Sequence, residues 1–312
     1  MIEEVIQPVD RSLLAKEFNK SKFIRFTNNS NNEIYIIGCD DSPNILREIG
    51  RLREITFRRA GGGTGKSLDL DEFDMGKNPY KQLIVWDPKE KEIVGGYRFI
   101  RCSDAAKNKK GEYHLATSHL FSFSKKFIKE YMPYTIELGR SFVQPIYQPA
   151  NDPRKGLYAL DNIWDGLGAI VTDNPDVKYF FGKFTMYLSF HQQARDMILF
   201  FLHKYFPDKE KLVVPHKSIK IATSKKELDA LFIGKSYQED YKILSQRVRS
   251  LNENIPPLVN AYMNLSPSML TFGTTLNDTF GEVEETGILV TISDIYDMKK
   301  ERHLPDYKKG KK

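Results

Sequence analysis

The chain has 312 residues, of which 40% are apolar and 28% charged, enough for one large globular domain or one domain carrying an insertion. No stretch approaches the ~18 consecutive apolar residues of a spanning helix. The formal charge of +6 would suggest nucleic acid, but residues 299–312 hold seven Lys or Arg against two Asp or Glu, so the body is close to neutral and no nucleic-acid partner is expected. That basic tail reads as a solvated, frayed end, with contact to anionic lipid headgroups or to an acidic carrier protein as the alternative.

In chain order, strands are expected at Phe23 to Phe26 and Glu33 to Ile37. Ser42 then stands where it can cap a helix whose first residue is Pro43, and Ile45, Ile49, Leu52 and Thr56 recur at helical spacing. Four glycines between Ala60 and Lys66 break that helix. Leu83 to Trp86 and Ile93 to Ile100 read as strands joined by the Asp87–Lys91 turn, and Thr135 to Val143 as another. Asp152-Pro153 opens a helix with Leu157, Leu160, Trp164, Leu167 and Val171 on one face. Tyr179 to Thr185 returns as a strand, and Phe190, Ala194, Met197, Phe201 and Tyr205 mark a further helix that Pro207 closes. Residues 207–252, richer in charge and ending in a helix, look like a mainly helical insertion. Pro256-Pro257 starts a short helix, and Met269 to Phe272 and Ile288 to Ile292 are closing strands. Strands alternating with single helices predict one mixed α/β (α+β) domain over residues 1–312.

Met1-Ile2-Glu3-Glu4-Val5 starts acidic where a secretory leader starts basic, so a soluble, cytoplasmic protein is expected. Cys39 and Cys102 form no CxxC pair and read as buried free thiols. Ala60-Gly61-Gly62-Gly63-Thr64-Gly65-Lys66-Ser67 resembles a relaxed phosphate loop, but it follows a helical pattern and precedes acids, the reverse of the strand-to-helix order that phosphate binding needs. It reads as a mobile glycine loop. The six histidines show no metal-ligand spacing, so no metal is expected.

The distinctive pattern is an ordered series of charges beside strand-like segments: Arg53 and Phe57 one helical turn apart, Asp69-Leu70-Asp71-Glu72-Phe73-Asp74, then Val94-Gly95-Gly96-Tyr97-Arg98, then Glu137-Leu138-Gly139-Arg140. This order resembles the acyl-homoserine-lactone synthases and, more closely, the ornithine-lipid N-acyltransferases and their hemolysin-labelled relatives within the GNAT superfamily. Gly139 to Pro145, Ile255 to Tyr262 and Asp278-Thr279-Phe280 extend the resemblance to about residues 42–295. Gly281-Glu282-Val283-Glu284 departs from it, being less apolar than the family's stretch.

The resemblance implies a GNAT-like fold with a central mixed, splayed sheet flanked by helices. It also implies transfer of a long fatty acyl group, plain or 3-hydroxylated, to the amine of an amino acid such as ornithine or glycine, giving an N-acyl amino acid lipid or precursor. The donor would be the acyl-phosphopantetheine of an acyl carrier protein, with no bound cofactor, because no Q/RxxGxG/A pyrophosphate loop follows Arg140; acyl-CoA with another amine, or a non-catalytic carrier- or membrane-binding role, are the alternatives. Glu137 is the candidate base. Arg53, Phe57, Asp71, Asp74, Arg98, Gly139 and Arg140 are candidate substrate-binding residues, the arginines for a carboxylate, although the charged ones can equally be structural ion pairs. A glycine inside a strand suggests close ligand approach or a bulge at Gly139 that would bring Glu137 and Arg140 to one side. Lys107, Lys109 and Lys110, or Lys125, Lys126 and Lys129, would meet an acidic carrier, and peripheral contact with the inner face of the cytoplasmic membrane stays open.

Overall fold

The computed structural model describes residues 2–109 and 111–303. Its chain divides into two compact units, Met1–Ala116 with Met132–Lys178 and Asp297–Lys312, and Thr117–Tyr131 with Tyr179–Tyr296.

The first unit holds α1 (Arg11–Glu17), β1 (Phe23–Phe26), β2 (Glu33–Ile37), α2 (Pro43–Arg59), α3 (Glu72–Met75), β3 (Lys81–Asp87) and β4 (Glu92–Arg101). The second contributes β5 (Phe121–Phe123), and the first resumes with β6 (Thr135–Val143), α4 (Pro153–Gly156) and α5 (Ala159–Asp173). Within the first unit the strands run β1-β2-β3-β4-β6, each antiparallel to its neighbour. Alternate residues of β3 face opposite sides. On one side Ile84 and Trp86 join Tyr35, Ile37, Ile93, Phe142 and the apolar stripe of α2 (Ile45, Ile49, Leu52) in a buried cluster that Leu14 and Phe18 close. On the other, α5 packs on β3 and β4, and a Cβ at Gly166 would lie 2.4 Å from the Leu83 side chain.

Pro43 takes the first turn of α2 as expected, and Ser42 is its N-cap residue, but the Ser42 hydroxyl makes no cap bond. It donates instead to Asp41, and the Glu17 carboxylate, from the end of α1, accepts from the Asn44 and Ile45 amides. A carboxylate there also favours the positive end of the helix dipole. The helix opened at Asp152-Pro153 is broken in two, α4 and α5, around Leu157-Tyr158. The expected frayed end begins inside a docked helix, α10 (Asp297–His303): His303 Nδ1 lies 2.7 Å from Asp165, and Arg302 pairs with Asp161. The remainder of the basic tail, and Lys110, lie outside the described residues.

The second unit continues with β7 (Tyr179–Met186), α6 (Gln192–Tyr205), β8 (Val213–Pro215), α7 (Lys225–Leu231), α8 (Tyr237–Ser250), α9 (Pro257–Met263), β9 (Leu270–Asn277) and β10 (Val283–Thr291). β7, β10 and β9 pair antiparallel in that order, and β5 pairs with β8. Residues 207–252 carry β8, α7 and α8; Asp240 of α8 takes hydrogen bonds from Lys204 and Tyr205 of α6, which ties this segment to the unit. No helix among the described residues is long and apolar enough to cross a membrane.

Candidate active site

Three strands set out the site. Gln82 of β3, Arg98 of β4 and Gly139 of β6 lie in one row across the sheet, so their side-chain positions share a face. The close packing of the strands beside this row depends on Gly95 and Gly96: a Cβ would fall 2.3 Å from the Phe142 carbonyl oxygen at the first and 2.2 Å from that of Leu83 at the second. Between the Gly96–Phe142 and Arg98–Gly139 pairs β6 holds one residue more than β4. This is the anticipated bulge. It centres on Arg140, whose φ of 51° lies in the left-handed region, and not on Gly139. Its effect is the expected one: Arg140 reaches Asp71, which Arg98 also holds, and Asp69, on the face that Glu137 occupies near it along β6.

The charged residues of the sequence series converge there, except Glu72, which is exposed beside His114. Arg53, projecting from α2, donates from Nε to Asp69 (3.1 Å) and from Nη1 and Nη2 to Asp74 (3.0 and 3.3 Å). Arg98 Nη1 bonds Asp71 (2.6 Å) and Asp74 (2.9 Å), and Arg140 Nε bonds Asp69 (3.1 Å). Gln82 Nε2 completes Asp74 at 2.9 Å. Asp71 and Asp74 also form the capping box of α3, which fixes the loop that carries them. Three guanidiniums and three carboxylates balance in charge. Burial works against ionisation of Asp69 and Asp74, yet the guanidiniums of Arg53, Arg140 and Arg98 around them prevail and hold both carboxyls below the usual range. Burial likewise opposes the charge of Arg98, and Asp74 and Asp71 outweigh it; at Arg140 burial wins and lowers the pKa.

Glu137 is 1% exposed. The Tyr80 hydroxyl donates to its Oε2, and the Ala116 amide donates to the same oxygen (3.2 Å) and to the Tyr80 hydroxyl (2.9 Å). Burial and the nearby Glu137 charge push the Tyr80 phenol well above its ordinary pKa, so it remains a donor. The same causes push the buried Cys102 thiol up, which disqualifies it as a nucleophile; Cys39, the other thiol expected to be buried, is only half-buried. The Arg98 guanidinium lies 5.4 Å from the Tyr80 ring centre and 5.5 Å from that of Phe73, joining the carboxylate to the ionic network through an aromatic contact.

Other candidates fall elsewhere. Phe57 is half-buried and packs against the apolar cluster under α2. Lys107 and Lys109 are exposed in the first unit, with the Lys107 ammonium 4.6 Å from the Tyr113 ring centre. Lys125, Lys126 and Lys129 are exposed in the second, where Lys126 pairs with Glu210. The glycine loop is pinned and not open: the amides of Thr64 and Gly65 and the Thr64 hydroxyl all donate to the Glu54 carboxylate, which Arg58 also holds. A carboxylate of the chain itself thus occupies the place a phosphate would need. Among the described residues no cluster of His, Cys, Asp or Glu could hold a metal. Three contributors escape the sequence pattern, Tyr80, Asp69 as a ligand of two arginines, and Gln82. Asp69 stood in the acidic run without a role of its own, and Gln82 gave a signal as an amide directly before the run Leu83-Ile84-Val85-Trp86, where burial obliges a partner.

Residues 52–153, which span the network and Glu137, match the family described as Acetyltransferase (GNAT) domain. The chain is 56% identical over 308 residues to the glycine N(alpha)-acyltransferase of Phocaeicola vulgatus, covering 99% of this chain and 94% of that protein. It is 55% identical over 306 residues to the glycine N(alpha)-acyltransferase of Bacteroides thetaiotaomicron, covering 98% and 91%. No solved structure matches it. The chain belongs to the GNAT N-acyltransferases. The α/β fold expected of that family is the one it has, and it is an acyltransferase.

Proposed function

We propose that this enzyme transfers a fatty acyl group, 3-hydroxylated chains included, from the phosphopantetheine thioester of an acyl carrier protein to the α-amine of glycine. The observation that carries the reading is the Glu137 carboxylate, braced by Tyr80 and the Ala116 amide on the face that also presents Arg98 and Arg140. A zwitterionic amino acid needs that pair of charges, an acid for its ammonium and a guanidinium for its carboxylate. Glycine is preferred to ornithine because Asp69, Asp71 and Asp74 are each engaged by arginine, and a second ammonium would require an acid of its own. The names of the two relatives support the same acceptor.

The α-ammonium of a free amino acid, held by its own carboxylate above the ~8 of a peptide N-terminus, must lose a proton before it attacks. Glu137 takes that proton, directly or through water, and the free amine adds to the thioester carbonyl. The C–S bond breaks as the tetrahedral oxyanion collapses, the thiolate leaves, and the second nitrogen proton neutralises it. The products are the amide and the carrier thiol, with no covalent acyl-enzyme. Asp71 and Asp74 hold the arginines in place. Lys107 and Lys109, or alternatively Lys125 and Lys129 beside the paired Lys126, are positive groups available to an acidic carrier, and contact with the inner face of the membrane would bring the product to lipid.

The test is incubation with 3-hydroxyacyl carrier protein, and in parallel 3-hydroxyacyl-CoA, in a pool of amino acids, followed by mass spectrometry. N-acylglycine formed from the carrier thioester is expected. An N-acylornithine product would overturn the acceptor, and product from CoA alone would overturn the donor.

A further inference from the structure

The three arginines of the network differ at one atom. Arg53 and Arg140 each donate Nε to Asp69. Arg98 spends Nη1 on two aspartates, yet its Nε is buried and has no partner among the described residues, in a side chain only 3% exposed. An unpaired donor on a buried charged group is costly, and native proteins retain such groups chiefly where water or a ligand completes them.

Directly across from Arg98 lies Gly139. Unlike Gly95 and Gly96, it meets no opposing backbone: a Cβ there would have, among the described residues, only Arg98 Nε at 3.7 Å and Cγ at 3.8 Å within 4 Å, which is ordinary contact. Nor is its φ positive. Neither packing nor backbone conformation demands glycine at this position. The missing side chain leaves room the size of a methyl group against the unpartnered Nε–H, and Gly139 itself is half-buried. Glu137 stands two residues back on the same strand face, a step of roughly 6.6–7 Å along the chain. A small zwitterion can bridge that separation with a hydrogen bond at each end.

We infer that the Nε–H of Arg98, in the notch left by Gly139, is the subsite for the carboxylate of the amino-acid acceptor, and that Gly139 is glycine to keep that subsite empty. The inference rests on the reading that a small amino acid is the acceptor.

The test compares glycine with glycinamide, which has the amine and lacks the carboxylate, in wild-type enzyme and Gly139→Ala, with thiol release from acyl carrier protein as the readout. Wild type should prefer glycine. In the variant the ratio of kcat/KM for glycine to that for glycinamide should fall roughly 10- to 100-fold, the loss of one hydrogen bond to a charged group, chiefly through KM for glycine, with the melting temperature held. An unchanged ratio would overturn the inference, as would a ratio that is kept while both rates drop. In wild-type protein labelled with ¹⁵N at arginine Nε, glycine should shift one protected Nε–H resonance and glycinamide should not; absence of that shift contradicts the subsite even if the variant fails to fold. Wild-type enzyme that releases no thiol in response to glycine would instead refute the acceptor reading itself.

Discussion

Replacing Asp74 by asparagine removes one negative charge from the centre of the network while keeping the shape of the side chain. Asp74 accepts from Arg53 through both terminal nitrogens, from Arg98, from the Gln82 amide at 2.9 Å and from the Asp71 backbone at 3.1 Å. An asparagine must turn its own NH2 toward one of these donors. Breaking a buried ion pair from one side costs about 3–5 kcal/mol; since Arg53 keeps Asp69 and Arg98 keeps Asp71, the lower end applies, about 3 kcal/mol. At 2–4 °C for each kcal/mol that is a fall of roughly 6–12 °C in melting temperature, or a matching drop in denaturant midpoint at constant m. The pH dependence carries a sign. Asp74 titrates below its unfolded value of ~3.9, so its stabilisation is complete above that pH and is lost as pH falls toward the folded value. Wild type and Asp74→Asn should therefore differ by a constant amount near neutrality and converge in acid. A difference under about 1 kcal/mol, or a gap that widens below pH ~4, would refute the claim that Asp74 is the ionised hub of the site.

Tyr80→Phe keeps the ring against Arg98 but takes from Glu137 a donor that favours its charged form. Its kcat should fall and the acidic limb of the pH–rate profile should move to higher pH; a lower kcat with an unmoved limb would assign Tyr80 a packing role alone. Gly96→Ala places a methyl 2.2 Å from the Leu83 carbonyl oxygen and should cost at least 1–3 kcal/mol in chemical denaturation, while an alanine variant as stable as wild type would show that β3 and β4 need not approach so closely.

Local structure was legible where it is set by neighbours in sequence. β1, β2 and β6 begin and end where their apolar and β-branched residues predict, and the Asp87–Lys91 turn lies between β3 and β4 with Lys91 at φ 56°. The charged series was legible as a site because acids and arginines beside apolar strands need a shared reason to be there. Which arginine meets which aspartate was not. That depends on the β4–β6 register and on one extra residue at Arg140, a misfit between two strands that neither reveals alone. Tyr80 shows the same limit. It sits one residue before β3 with no motif or periodic position to mark it, and its partners Glu137 and Ala116 are 57 and 36 residues away. The cap of α2 was misread for a smaller reason of the same kind, since Glu17 reaches the amides that Ser42 would have served.

The most direct measurement is glycine-dependent release of carrier thiol by Glu137→Gln, an isosteric change that leaves an oxygen for the Tyr80 hydroxyl and the Ala116 amide. With the fold intact by circular dichroism and thermal melting, the base assignment predicts a fall in kcat of roughly 10²-fold or more, partly recovered as rising pH deprotonates the amine in solution. Release at the wild-type rate across that pH range would contradict it.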